Sequence, residues 1–278
     1  MAGGKETPRQ KMIGMMYLVL TALLALNVSK QVIAAFVTLN NKLDSSAQII
    51  DNNNLATYDA FQNKIITLEA QGAGDVAVND VKKWQALAFE AKNQTNEVVS
   101  FLLTECNEMI VEADKVDWIE EVDEETQFVT KLKPLSGIQN FDNYDIPTNF
   151  FIGGDPQKPI QRGLDLRQTV IDYRNSVAEL MGTYKDAKGS WTFTAPADMS
   201  GLEAALATCN PEDTTMIGNY MRALDLPEMV TVNHDGHEES LPWPSVMFDH
   251  APIVAAAAMI TAVKLDVKNA ESIATDFS

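Results

Sequence analysis

The sequence predicts an all-α protein: a single transmembrane helix that continues into a helical hairpin and a four-helix bundle beyond the membrane. Three observations predict it. A basic stub with Lys5, Arg9 and Lys11 runs straight into an apolar stretch. Residues 15–71 contain neither Gly nor Pro, and residues 75–133 again contain neither. Gly72-Ala73-Gly74 separates the two runs, as a helix-breaking turn does.

The 278 residues are 46% hydrophobic, enough for a sizeable core. The formal net charge of -18 repels phosphate backbones, so no nucleic-acid partner is expected. The two cysteines, Cys106 and Cys209, form no CxxC and no zinc spacing. They fit either one bridge in an oxidising compartment or two small buried apolar residues.

Met12–Leu26 is free of charge, with Tyr17 and Thr21 its polar groups. Its 15 residues would span roughly 22 Å, short of the roughly 30 Å hydrocarbon core. Extension from Arg9 to Val28 supplies 20 residues and about the full thickness. A cleaved signal peptide and an uncleaved anchor both fit the stub and the apolar run. The anchor is favoured because Ala25-Leu26-Asn27 is a poor cleavage site. The helical spacing also runs on through Val32, Ile33, Phe36, Leu39, Leu43 and Ala47. The domains expected are thus a cytoplasmic stub at 1–11, a transmembrane helix at 12–34 and a bundle domain at 35–278. The positive-inside rule places the bundle outside the cytoplasm. Arg9 is then either a snorkelling anchor or half of an ion pair with another protein, because Met12–Leu26 contains no acid.

Beyond the membrane, residues 30–71 and 75–116 match in length, about 42 residues or roughly 63 Å each, and predict an antiparallel hairpin. Val81, Trp84, Leu87, Ala88, Ala91, Val98, Phe101, Leu102 and Ile110 form the apolar face of the second arm. From about 116 to 163 the pattern dissolves into a long excursion rich in Gly, Pro, Asn and Asp, which reads equally as a binding surface or as packing loops. A third helix is expected over Leu164–Lys185, with Leu166, Val170, Tyr173, Val177, Leu180 and Met181 on one face. Trp191–Thr194 reads as briefly extended, Pro211–Leu224 as a short helix, and a fourth helix begins near Ala251 with Pro252 in its first turn.

No phosphate-binding glycine loop, zinc-protease motif or nucleophile elbow occurs, so no enzyme activity and no cofactor are expected. His234, Asp235 and His237 are a weak metal set in a polar turn. Glu120–Thr126 holds five acids in seven residues but lacks the glycine and alternating ligands of a calcium loop, so a solvated acidic face is the better reading.

Residues 9–30, RQKMIGMMYLVLTALLALNVSK, closely resemble the amino terminus of the GldM/PorM family of gliding-motility and type 9 secretion motor proteins. Residues 244–272, PSVMFDHAPIVAAAAMITAVKLDVKNAES, resemble the end of that family's first periplasmic domain. The resemblance implies a bacterial inner-membrane protein with one span, a cytoplasmic amino terminus and a periplasmic helical domain. It also implies a homodimer whose two membrane helices thread a pentameric ring of GldL/PorL-like subunits. Driven by the proton motive force, such a pair would carry motion to periplasmic and outer-membrane secretion components. The family arginine that faces a ring glutamate corresponds to Arg9, so Arg9, Lys11 and Tyr17 are the candidate partner and ion-pair residues. The family continues into β-rich domains, so a chain ending at Ser278 is expected to be an amino-terminal portion or a shortened member. The alternative is a passive single-pass scaffold or sensor with the same helical domain.

Overall fold

The computed structural model describes residues 8–72, 74–185, 188–234 and 237–277, with side chains from residue 30 onward except those of His234 and His237. The side chains of Arg9, Lys11 and Tyr17 therefore lie outside the described residues, as do those of most of the predicted span. Among the described residues no helix is long and apolar enough to cross a membrane.

Four long helices dominate the fold. α1 runs unbroken from Pro8 to Ala70 and α2 from Asp75 to Asp114. The turn between them uses Gly72 at φ 66°, a conformation that a side chain would strain. The two arms pack antiparallel: Lys82 meets Glu69 at 3.2 Å, Gln85 reaches Gln62, and Phe89 stacks on Tyr58. α2 ends where Lys115 turns left-handed and donates its N–H to the Val111 carbonyl. α4, Gln161–Gly182, lies antiparallel to α2, since Arg162 pairs with Glu105 and Tyr173 bonds Thr95 a long way back along α2. α8, Ile253–Phe277, runs parallel to α1 and also packs on α2 and α4. Its alanines 255–258, 270 and 274 are all buried, and their small size lets neighbouring helices close in on several sides.

The long excursion is a packed frame. Strands β1, Ile119–Val122, and β2, Val129–Leu132, form a hairpin over α2. The single turn α3, Asp145–Pro147, runs into a π turn at Thr148–Ile152 that buries Phe151 and Ile152. Asp114 accepts hydrogen bonds from the Gln139 and Asn140 amides, and the Ile253 amide donates to the Asn143 carbonyl. Gly163 is needed because a Cβ there would lie 2.3 Å from the Phe151 carbonyl oxygen. The excursion thus serves as packing, and its acidic turn is closed on itself: Asp123 accepts from the Glu125 and Thr126 amides, while Lys131 pairs with Glu120 and Glu121.

The helical expectation holds in its main part. The fold is mostly helical, and among the described residues six strands form three two-stranded antiparallel hairpins. Besides β1–β2 these are β3, Tyr184–Lys185, with β4, Ser190–Trp191, and β5, Met229–His234, with β6, His237–Pro242. The sequence holds the reason for the last: Val and Thr alternate before an Asp-Gly pair, a strong hairpin signal. Among the described residues there are also three short α-helices, α5, Leu202–Leu206, α6, Thr214–Ala223, and α7, Trp243–Phe248, and 3-10 turns at Leu135–Gly137 and Met199–Gly201. Cys106 and Cys209 are both buried and free.

The continuous apolar core joins α2, α4, α6 and α8 with the excursion. Leu102, at its centre, is fully buried. Leu102→Ala is expected to lower stability by about 2–5 kcal/mol through lost transfer energy and an unfilled cavity, measured by chemical denaturation. A loss below about 0.5 kcal/mol would mean that α2 packs through another face.

Candidate functional site

The face that α1 turns to the bundle repeats every seven residues. Ile33, Asn40, Ala47 and Asn54 are buried in one row, while Asp44, Asp51, Tyr58 and Ile65 follow in a second. α8 answers with Thr261, Lys264, Lys268, Glu271 and Thr275, spaced alternately three and four apart. That is the spacing of a parallel two-helix seam, but its middle is polar where such seams are normally apolar. Apolar contacts remain at its two ends, with Ile33 and Val37 at one and Ile65 at the other.

Charge pairing holds the middle. Lys268 Nζ lies 2.8 Å from Asp51 and 3.2 Å from Glu271, and Lys264 Nζ lies 2.5 Å from Asp44. The Tyr58 hydroxyl donates to Glu271 Oε1 at 2.8 Å and meets Thr275 Oγ1 at 3.2 Å. Glu271 is 2% exposed and Lys268 7%. Burial pulls the Lys268 pKa down, but the charges of Glu271 and Asp51 outweigh it and the net shift is upward. Burial, then the Glu271 charge, pushes the Tyr58 hydroxyl well above its ordinary range, so it stays a neutral donor. Burial raises the Cys106 thiol to about 12, which leaves it unreactive at neutral pH.

The seam is also imperfectly satisfied. Asn40 Nδ2 donates to Asp44, but Asn40 Oδ1 and Asn54 Nδ2 have no hydrogen-bond partner among the described residues. Each such buried group costs about 1–3 kcal/mol. Two adjoining clefts of about 420 and 460 Å³ run between α1 and the β1–β2 hairpin and share Asp51 and Lys268 in their walls. Beside the seam, the apolar residues expected on one face of α1 divide. Ile33 and Ala47 are buried, Val32 and Leu39 are each 46% exposed, and Phe36 and Leu43 are half-buried.

The sequence reading missed this seam. Its signal was present as Asn40, Ala47 and Asn54 in step with Asp44, Asp51 and Tyr58, but a search for apolar periodicity passes over it. The predicted set Arg9, Lys11 and Tyr17 falls outside the described side chains, as do His234, Asp235 and His237. Among the described residues no cluster of His, Cys, Asp and Glu is arranged to hold a metal ion.

Lys268→Met strands Glu271 inside the protein. It is expected to destabilise the fold by about 3–5 kcal/mol in chemical denaturation. Because folding raises the Lys268 pKa above 10.5, the stabilisation from its charge is complete below that value. It is lost as the pH rises through the raised value. The gap between parent and variant should therefore be flat between about pH 7 and 9 and narrow above about pH 10.5. A gap that is already narrowing near pH 8 would contradict the pairing.

The sequence model of one family, the GldM N-terminal domain, matches residues 31–212 and so spans α1 beyond its first turns, α2, the excursion, α4 and the segment leading to α6. A search of curated proteins finds no match. The matched region covers well over half of the chain and contains both helices of the hairpin. The chain therefore belongs to the GldM N-terminal domain family, whose members are inner-membrane components of gliding motility and type 9 secretion.

Proposed function

We propose that this chain is the moving shaft of a proton-driven inner-membrane motor. In this reading two copies pair along α1, their amino-terminal helices thread a ring of GldL/PorL-like subunits, and the periplasmic bundle passes the motion to further secretion components. The observation that carries the reading is the continuity of α1. Its 63 residues form one helix without a break, about 95 Å long, leading from the basic stub to the bundle. A continuous hydrogen-bonded helix couples displacement at one end to the other. A scaffold has no need of such stiffness.

Two further features support it. The half-exposed stripe of Val32, Phe36, Leu39 and Leu43 offers a second copy an apolar strip on the very helix that would enter the ring. At the other end, Arg9 is positioned in sequence at the inner edge of the span, where a ring carboxylate could take its guanidinium in a charge-assisted pair. One elementary charge crossing about 100 mV supplies about 2.3 kcal/mol. Protonation of a ring carboxylate would weaken its hold on Arg9, and two helices inside a five-fold ring leave the ring sites inequivalent, so the pair steps.

Secretion and gliding at equal protein levels test this. Arg9→Ala is expected to abolish both while insertion persists, because losing one partner of a buried pair costs about 3–5 kcal/mol and Lys5 and Lys11 still satisfy the positive-inside rule. Arg9→Lys should restore only part of the activity, since an ammonium lacks the two-pronged fork. Lys11→Ala should be mild, because Lys11 projects about 200° around the helix from Arg9. Tyr17→Phe should also be mild, with Tyr17 as a packing residue. Full activity of Arg9→Ala, or co-purification without any ring partner, would favour the passive scaffold.

A further inference from the structure

We propose that α1 is a detachable lever: its middle stretch, Asn40–Tyr58, undocks from α8 as a unit while the rest of the bundle stays folded, and redocks in a single register.

The main apolar core holds α1 only lightly. Among the described residues α1 gives that core one partly buried side chain, Val37, whereas α2, α4, α6 and α8 all supply fully buried ones. Over Asn40–Tyr58 the α1–α8 contact is instead largely made of polar groups that water can satisfy, with Ala47 buried among them, and Ile33 and Ile65 lie beyond that stretch. Asp44 and Asp51 are already 39% and 42% exposed in their pairs with Lys264 and Lys268. Asn40 Oδ1 and Asn54 Nδ2, buried with no partner among the described residues, gain hydrogen bonds when the seam opens. The clefts beneath α1 give water a path to both charge pairs. Beyond Tyr58 the freed helix stays tethered to α2 through the turn after Ala70, where Lys82 pairs with Glu69.

The same groups make the return specific. A slip of seven residues in one direction would set Asp44 against Lys268 but Asp51 against Glu271, like charge on like. A slip in the other direction would place Ile65 beside the buried Glu271 and leave that carboxylate without Tyr58. A purely apolar seam would accept either shift. Polar residues at seam positions are the known device for fixing register at the expense of strength.

Hydrogen exchange by mass spectrometry on the full chain in detergent tests the inference. A helix released from its partner frays, so its amides exchange. Peptides covering 40–58 are expected to exchange about 100-fold faster than peptides covering 98–110 and 256–268. Asp51→Asn should speed the first set several-fold and leave the other two unchanged. Asn40→Leu with Asn54→Leu should slow the first set about tenfold. Equal exchange in all three regions, or variants that shift all three together, would overturn it. If the leucine pair fails to fold, the Asp51→Asn comparison decides by itself. The inference concerns the fold and is independent of the ring: Arg9→Ala should leave exchange at 40–58 unchanged whatever it does to secretion.

Discussion

A buried ammonium has to be met by carboxylates, and Lys268 determines how α1 can lie. With Glu271 one turn along on its own helix and Asp51 across the seam, Lys268 is satisfied in one arrangement: α1 parallel to α8, with Asp51 level with it. Tyr58 and Asp44 then fall into place at either side, against Glu271 and Lys264. Breaking that centre strands charge, and this restricts the register more sharply than apolar contact could. The direction of α1 over its length follows from one triad.

The continuous apolar core of the rest of the domain takes little from α1. α8 sinks its alanines among α2, α4 and α6, and the excursion is braced at three points: Asp114 on the Gln139 and Asn140 amides, Arg162 on Glu105 and Glu108, and the Asn143 carbonyl on the start of α8. The Arg162 guanidinium also sits over Phe150, 3.9 Å from the ring centre, which joins the excursion to α2 by a second route. A rigid body with one helix held by ion pairs is a suitable construction for a part that must be moved from one end. In the motor reading proposed above, the long helix would receive displacement and the body would present a fixed surface.

Much of this was legible in the sequence and some was not, for physical reasons. Glycine and proline are strong punctuation, so α1, α2, α4 and α8 were readable to within a few residues from the gaps between them. The core face of α2 was readable because Ala88, Ala91, Val98, Leu102 and Ile110 recur at helical spacing, and all are buried. That α8 lies parallel to α1 was not readable, because nothing in a linear pattern tells which of several amphipathic helices will be neighbours. The seam was hidden for a related reason. Asn40, Asp44, Asp51 and Asn54 look like a solvated face until the matching lysines of α8 are set against them. The β5–β6 hairpin was readable from Val-Thr alternation before Asp-Gly, but the His-rich turn drew attention to metal chemistry. The role of Arg9 rests on family resemblance and on its position at the edge of an apolar run.

The central claim is mechanical: α1 is joined to a self-sufficient body by a polar, register-fixed seam. Optical tweezers measure this directly. Handles placed through Lys30→Cys and His250→Cys would pull at the end where α1 and the start of α8 lie together, peeling one helix from the other, and the native Cys106 and Cys209 are buried away from the attachment chemistry. The expected record has two transitions: a low-force, reversible opening that releases α1 as far as Ile65, then a separate, higher-force unfolding of the body. A single rip in which α1 and the body are lost together would contradict the claim.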